Sequence, residues 1–529
     1  MSVLASAVGQ VPFTEEAATR GMHYVGELGG GNGDGSGVAV TDLDGDGDMD
    51  IVLTGRSDGV VGLYENLGKG VFIDRSSQSG IPPLIASAAV TAADYDGDGA
   101  LDLYFTLWGA GNVLVRNLGG FQFQDVTAQA GVGDDGIGTG ATFADYDKDG
   151  WLDLYVSNYF GGSSRNRLYH NLGNGTFEEI GQDQGVDDAG AAYQSVFFDY
   201  DRDGDPDLYV ANDKGYVAYP NRLWQNNDGV FQDISEASGT GAQIDSMGIA
   251  VGDLDGNGYP DLYVTNTPQP PGNPLFMNQG DGTFMEQSDE AGVADDREGW
   301  GALFFDYDNN GFQDLYVANG ATPNRLYEYN GALPCIDVAP DLGVASDGIS
   351  FCIAVGDIDD DGDLDLLLQD HQAPIQLFIN HEGEQRNWLK IKLFGAGPNT
   401  HAVGALVDVT AGSQTQHREV MTGVGYKSSS SLVLHFGLGA ATIVDVVSIL
   451  WPGGSQTFLV NVPVNQKLTL VEAACPQDLD DDGTVGASDL AILLGDWGPN
   501  PGHPADFNGD GSVGPFDLAQ VLGHWGPCP

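Results

Sequence analysis

Residues 145–153 read DYDKDGWLD, and this stretch decides the fold. Acids stand at positions 1, 3, 5 and 9 (Asp145, Asp147, Asp149, Asp153), with Gly150 at position 6. Alternate carboxylates converge on one side of a tight turn, and the glycine permits the bend. Such an oxygen-only, highly charged cage suits Ca²⁺; Mg²⁺ is disfavoured because it prefers a small octahedral shell rich in water. Position 12 is the apolar Val156. The loop is therefore not an EF-hand, which needs an acid there and flanking helices.

The loop recurs seven times at intervals of 51 to 54 residues. The other candidate ligand sets are Asp42/Asp44/Asp46/Asp50, Asp94/Asp96/Asp98/Asp102, Asp199/Asp201/Asp203/Asp207 and Asp357/Asp359/Asp361/Asp365. Two sets carry Asn at position 5: Asp253/Asp255/Asn257/Asp261 and Asp306/Asp308/Asn310/Asp314. Asn keeps an oxygen but removes a charge, so these two sites should be weaker. One such loop would read as a β-turn; seven with acids held at 1, 3 and 9 read as metal sites. One ion per blade is a structural ion that neutralises its carboxylates and fixes its turn.

Four short segments surround each loop. In the third unit they are GATFA (140–144), LDLYV (152–156), LYHN (168–171) and FEE (177–179). Apolar alternation between Gly-rich turns marks strands. Four strands per repeat of this length indicate a mainly β fold, a seven-bladed β-propeller; an open solenoid is the alternative. The seventh unit has its LFIN strand (377–380) but no following F-x-D segment, whereas FTEEAATRG stands at 13–21. The N-terminal strand should close the last blade and leave no exposed edge.

The chain has 529 residues, 77 Asp+Glu against 19 Lys+Arg, and a formal net charge of −58. Hydrophobic residues at 41% and aromatics at 10% exclude a disordered acidic tail. The charge excludes nucleic acid and disfavours anionic membranes as partners. It should destabilise the compact state unless cations offset it. No apolar run approaches the ~20 residues of a membrane helix. Residues 1–10 read as a leader remnant, Ala5-Ser6-Ala7 having the small-x-small look of a cleavage site, or as a disordered tip.

The propeller is assigned to 11–384. Residues 385–473 lack acidic loops and alternate as a small β-sandwich or barrel. Lys390, Lys392, His401, His417 and Arg418 make this module less acidic. The spacing of its histidines matches no metal site, so they read as solvent-facing or satisfied strand residues. Residues 474–529 duplicate a loop-then-helix unit, with ligands Asp478, Asp480, Asp482 and Asp489, then Asp506, Asn508, Asp510 and Asp517. Here position 12 is an acid, and Ca²⁺ should be needed for folding. The cysteines suit two local disulfides, Cys335 with Cys352 and Cys475 with Cys528; unpaired thiols are the alternative. Two disulfides would imply an oxidising compartment.

The seven acidic units resemble the FG-GAP/VCBS repeats of integrin-type propellers. NWLKIKL, VGALVDVTAG, GYKSSSS, LHFGLG and WPGG within 387–454 resemble an ASPIC/UnbV domain. The combination is similar to the cartilage acidic protein 1 family, and the last module resembles a dockerin. Dockerins read their cohesin partner through positions 10 and 11. Those are Ala487/Ser488 and Pro515/Phe516 here, a departure from the usual hydroxyl residues.

These resemblances imply an extracellular or cell-surface, calcium-binding interaction or adhesion scaffold, non-catalytic and tethered by its C-terminus. Its partners would be a cohesin-like or cell-surface protein, with glycan as a further ligand class. The cofactors would be about seven Ca²⁺ in the propeller and two in the last module. The alternative is a dockerin-bearing extracellular enzyme, or a subunit of a polysaccharide-degrading complex, with a site on the propeller axis. His170, Asp213 and His371 break the repeat and are read as loop variants.

Overall fold

The computed structural model describes the chain except for residues 1–11, 28–35, 160–163, 216–218, 269, 321, 474, 481–483, 502 and 528–529. The expected N-terminal tip, Asp482 and Cys528 therefore lie outside the described residues.

Seven four-stranded antiparallel sheets occupy the first part of the chain, consistent with a seven-bladed propeller. Their inner strands are Val38–Thr41, Ser87–Ala93, Gly138–Ala144, Ala191–Phe198, Ser246–Gly252, Gly299–Phe305 and Ser350–Gly356. Each inner strand neighbours the next, and the seventh neighbours the first, so the ring is closed. Closure uses the N-terminal segment: Phe13–Glu15 pairs antiparallel with Phe378–Asn380 as the outer strand of blade seven. Six blades carry the F-x-D-type outer strand read from the sequence, followed by a single turn of helix, as at Thr127–Ala130.

Two sheets follow. One orders Leu434–Gly439, Asn387–Phe394 and Gln466–Val471, the last pair parallel. The other orders Gln414–Glu419, Leu406–Ala411, Ile443–Leu450 and Gln456–Pro463. A single apolar cluster joins this module's core, including Phe436, Val447 and Trp451, to Phe143 and Leu154 of blade three. The two modules thus share a core.

The C-terminal module has two short helices, Ala487–Gly495 and Pro515–Gly523. Its halves exchange strand pairs reciprocally: Thr484–Val485 with Gly526–Pro527, and Gly498–Pro499 with Ser512–Val513. Val485, Leu493, Val513 and Val521 form its core, in pairs 28 residues apart.

One pairing expected from the cysteine spacing is absent. Cys335 and Cys352 are both free and buried. Cys335 lies at the outer edge of blade six and Cys352 in the inner strand of blade seven, so nearness in sequence does not bring them together. Burial pushes both thiols up to about 12. Cys475 is in a disulfide.

Candidate metal centres and the face that carries them

All seven propeller loops share one hydrogen-bond frame. The position-1 carboxylate accepts the N–H of the position-6 glycine through Oδ2, from Gly47 to Asp42 in the first loop through Gly362 to Asp357 in the last. That glycine has φ between +88° and +100° in every loop, which excludes a side chain there. The position-5 side chain accepts the position-7 N–H.

The position-9 aspartates are Asp50, Asp102, Asp153, Asp207, Asp261, Asp314 and Asp365, all 0–1% exposed. Each accepts two backbone N–H groups, one from position 2 of its loop and one from the third strand of its blade. In blade two these come from Tyr95 at 3.3 Å and Asn117 at 2.7 Å. Each oxygen keeps a second lone pair, so the same carboxylate can pin the loop and face an ion. Burial pushes these acids up, Asp50 to about 8 and Asp102 to about 9. Neighbouring carboxylates add to the shift, and a cation would oppose it.

The residues present fit a cation. Asp42, Asp44 and Asp50 bring ligand atoms within 4.8 Å of one another, as do Asp94, Asp96 and Asp102, and Asp145, Asp147 and Asp149. Buried Oδ1 atoms of Asp96, Asp145, Asp147, Asp201, Asp253 and Asp359 have no hydrogen-bond partner. All belong to positions 1 and 3. Asn257 and Asn310 turn their amides to backbone carbonyls of their own blades, so their side-chain oxygens stay at the loop.

Two of the acids expected as ligands, Asp46 and Asp308, have further contacts of their own. Asp46 is exposed and stands outside the trio of Asp42, Asp44 and Asp50 in its loop. Its Oδ1 accepts the Asp48 N–H at 2.9 Å, the bond that the position-5 side chain makes in every loop. Asp308 is buried, and each of its oxygens has a protein partner. Arg386 pairs with Oδ2 at 2.6 Å, and Oδ1 accepts the Asn310 N–H at 3.0 Å. A guanidinium therefore already supplies positive charge at position 3 of blade six. The Arg386 charge adds to the weakness expected from Asn310.

In the C-terminal module Asp489 accepts the Leu479, Asp480 and Gly486 N–H groups, and Asp517 those of Phe507 and Gly514. Each acid therefore ties its loop to the first turn of its helix. Asp506 keeps a buried, unpartnered Oδ1, and Asn508 bonds Asp510. Asp478 and Asp480 flank Leu479 at the start of the first loop.

The β module covers the loop face of the propeller. Lys390 bonds Asp357 at 2.6 Å and also Asp360, and Lys392 bonds Asp42 at 2.9 Å. Arg202 makes a bidentate pair with Asp408, which also holds His417. Thr400 donates to Asp94, and the half-buried Arg418 has Asp306 and Asp253 as its opposing charges. His401, His417 and His435 are all buried, which corrects the solvent-facing alternative; His435 bonds Asn309 at 2.6 Å. The local excess of positive charge is the complement of the acidic loops.

The segment 421–431 was not foreseen as an element. It threads the propeller axis. Thr422 exchanges hydrogen bonds with the backbone of Phe143, and the Gly423 carbonyl accepts from Gln194. The Lys427 carbonyl accepts from Val90, and Ser429 pairs with Val38 and Val40. Ser430 accepts from Val355. Tyr426 is fully buried against Tyr193 and Trp300. Beyond it, Trp108, Tyr159, Phe351 and His371 continue an aromatic cluster at the opposite mouth.

The LY-x-N asparagine does more than continue its strand. Its Nδ2 donates to the position-2 carbonyl of the preceding blade: Asn66 to Ile358, Asn117 to Leu43, Asn171 to Tyr95, Asn226 to Tyr146, Asn278 to Tyr200 and Asn380 to Tyr307. Blade six has Tyr329 instead. In blades two, three and four the residue before the asparagine contacts its own loop. Arg116 pairs with Asp96 and Asp98, and Gln225 donates to Asp201. His170 lies 3.1 Å from Asp153 and 3.4 Å from Asp147. It is therefore a strand residue aimed at the acids, not a loop variant. Its bond to Asp153 pushes it up to about 9.

The family comparisons agree with this geometry. The model of the FG-GAP-like repeat matches residues 42–105, 158–210, 199–264 and 306–368, and the ASPIC and UnbV model matches 395–477. The chain carries FG-GAP-like repeats and an ASPIC/UnbV domain.

It is distantly similar to cartilage acidic protein 1. The human protein is 24% identical over 433 residues, 65% of this chain and 64% of that protein. The Xenopus tropicalis protein is 25% identical over 443 residues, 67% of each. The chain thus spans about two thirds of the length of the curated relatives it matches. Among solved structures, the BP39L lectin from Burkholderia pseudomallei aligns with 66% of this chain and 96% of its own at 10% identity and TM-score 0.44. BBS1N, solved in complex with ARL6DN, aligns with 68% and 93% at 11% identity and TM-score 0.43.

Proposed function

We propose that the protein is a secreted or cell-surface, calcium-loaded, non-catalytic binding scaffold, with its C-terminal module acting as a dockerin-like tether. The carrying observation is the repeated loop frame, which pins the backbone around the acids yet leaves a position-1 or position-3 oxygen buried and unpartnered in blades two, three, four, five and seven. Hard oxygen donors on flexible loops suit Ca²⁺. The frame recurs in all blades, as a structural ion requires.

The β module covers the loop face, and residues 421–431 run through the axis, which restricts an axial site entered from that face. Partners are left the opposite mouth, the rim and the C-terminal module. The last exposes Leu494, Trp497, Leu522 and Trp525, 46–53% exposed and related in pairs 28 residues apart. Paired apolar side chains of this kind support a protein-binding tether.

The test is capture from secreted and cell-wall fractions, with and without residues 475–529, in Ca²⁺ and in chelator, alongside a glycan panel. Calcium-dependent capture that survives the deletion supports the scaffold. Turnover of any glycan by the intact chain overturns it.

A further inference from the structure

The seven loops are not equivalent, because one position in each blade edits its own loop. The residues before the LY-x-N asparagine, or its replacement, are Glu65, Arg116, His170, Gln225, Met277, Glu328 and Ile379. Arg116 supplies blade two with a fixed cation across Asp96 and Asp98. Met277 and Ile379 supply nothing polar. Of these seven residues, only His170 brings a nitrogen lone pair to its loop.

We propose that the blade-three loop is a mixed nitrogen–oxygen site for a first-row divalent transition ion of the Zn²⁺ class, with His170, Asp147 and Asp153 as ligands. This rests on the reading that the loops hold cations, and goes beyond it in the ion chosen. His170 Nδ1 stands 3.1 Å from Asp153 Oδ1 and 3.4 Å from Asp147 Oδ2. The ligand atoms of these three residues all lie within 4.8 Å of one another. Ligands about 2.1 Å from one ion are separated by roughly 3.0–3.4 Å along the edges of an octahedron or tetrahedron.

A second observation points to an ion. Asp145 is 7% exposed, belongs to the same loop, and its Oδ1 has no partner. The Oδ1 of Asp147 is likewise buried and unpartnered. No described bond from the β module reaches Asp145, whereas Lys392, Thr400 and Lys390 bond the position-1 acids of blades one, two and seven. Imidazole is a ligand for Zn²⁺, Ni²⁺ and Cu²⁺, whereas Ca²⁺ takes oxygen. The ring therefore changes which ion the cage prefers.

The test uses the full chain in millimolar Ca²⁺, dialysed against micromolar Zn²⁺, with bound metals counted by elemental analysis. One tightly held Zn²⁺ per chain, with one Ca²⁺ fewer, is expected. His170→Gln should weaken Zn²⁺ binding at least tenfold with its melting curve in Ca²⁺ alone unchanged; His381→Gln, at another His-containing cluster, should not. Independently of any variant, Co²⁺ should give the ligand-field spectrum of nitrogen ligation in the wild type. Equal Zn²⁺ binding by wild type and His170→Gln, or no Zn²⁺ retained beside Ca²⁺, overturns the proposal and identifies the ring as a protonated counter-charge. Absence of bound Ca²⁺ with Zn²⁺ retained would sink the calcium reading and leave this one standing.

Discussion

Asn171 of blade three donates its side-chain N–H to the Tyr95 carbonyl of blade two at 2.9 Å, and a second N–H to Leu152 at 3.0 Å. One amide therefore ties a blade to its own loop and to the loop before it. Asn171→Ala removes both bonds and leaves two buried carbonyls unpaired. The expected loss is about 1–3 kcal/mol for each orphaned group, read as a lower denaturation midpoint with an unchanged slope. A neutral substitution would show that the apolar cores alone hold the blades in register.

Removing calcium should be felt globally. Ions bound only to the native state stabilise it by mass action, and each loop adds its own share. Chelation should lower the melting temperature by many degrees, reversibly on readdition. A melt unchanged by chelator would refute calcium as a structural cofactor.

Lys390 and Asp357 are each 5% exposed at the side chain, and their contact holds the β module on blade seven. Burial works to lower the Lys390 pKa, yet Asp357 and Asp360 hold it above the ordinary lysine value. Lys390→Met leaves the buried Asp357 carboxylate without its counter-charge, an expected loss of about 3–5 kcal/mol. Calorimetry should show this loss. A stability equal to wild type would mean that a metal already supplies the charge.

His435 carries a pH prediction of definite sign. Burial, then the charges of Lys390 and Arg418, push its imidazole down to about 3. Its ordinary value is 6.5, so the unfolded chain takes up a proton that the folded chain refuses. The contribution is complete above pH 6.5 and is lost as pH falls toward 3, at about 1.4 kcal/mol per unit. In Ca²⁺-saturated protein, the stability difference between wild type and His435→Asn should shift steadily against wild type below pH 6.5. A flat difference would place a proton on His435 in the fold.

The repeat and its closure were legible because they depend on local chemistry. Asp-x-Asp-x-Asp-Gly is visible wherever it occurs, and a missing F-x-D in the last unit points to the Phe13 segment. The asparagine staples were half legible: the residue was in plain sight, but its partner, 76 residues away for Asn171, is set by the packing of blades. Asp308 shows the same limit, since the motif cannot reveal that Arg386 arrives from the next blade's end to occupy it. The axial segment was illegible because GYKSSSS reads as a polar surface loop. Ser429 is buried with its backbone bonded to Val38 and Val40, and the half-buried Ser430 accepts from Val355, which composition does not reveal. The Cys335–Cys352 expectation failed because adjacent blades separate residues that sequence spacing brings close. His170 was noticed as an oddity; the strand register that points it at Asp153 supplied its meaning.

The axial segment also bears on how the chain is made. Synthesis runs from the N-terminus, so the ring is complete in sequence some forty residues before its filler at 421–431 exists. Until then the hub is hollow, lined by inner strands that await Thr422, Tyr426 and Ser429. The strand that seals the ring is the reverse case: Phe13–Glu15 must wait for Phe378–Asn380. Both fastenings fall due late, so a nascent chain remains an open arc until its second half arrives.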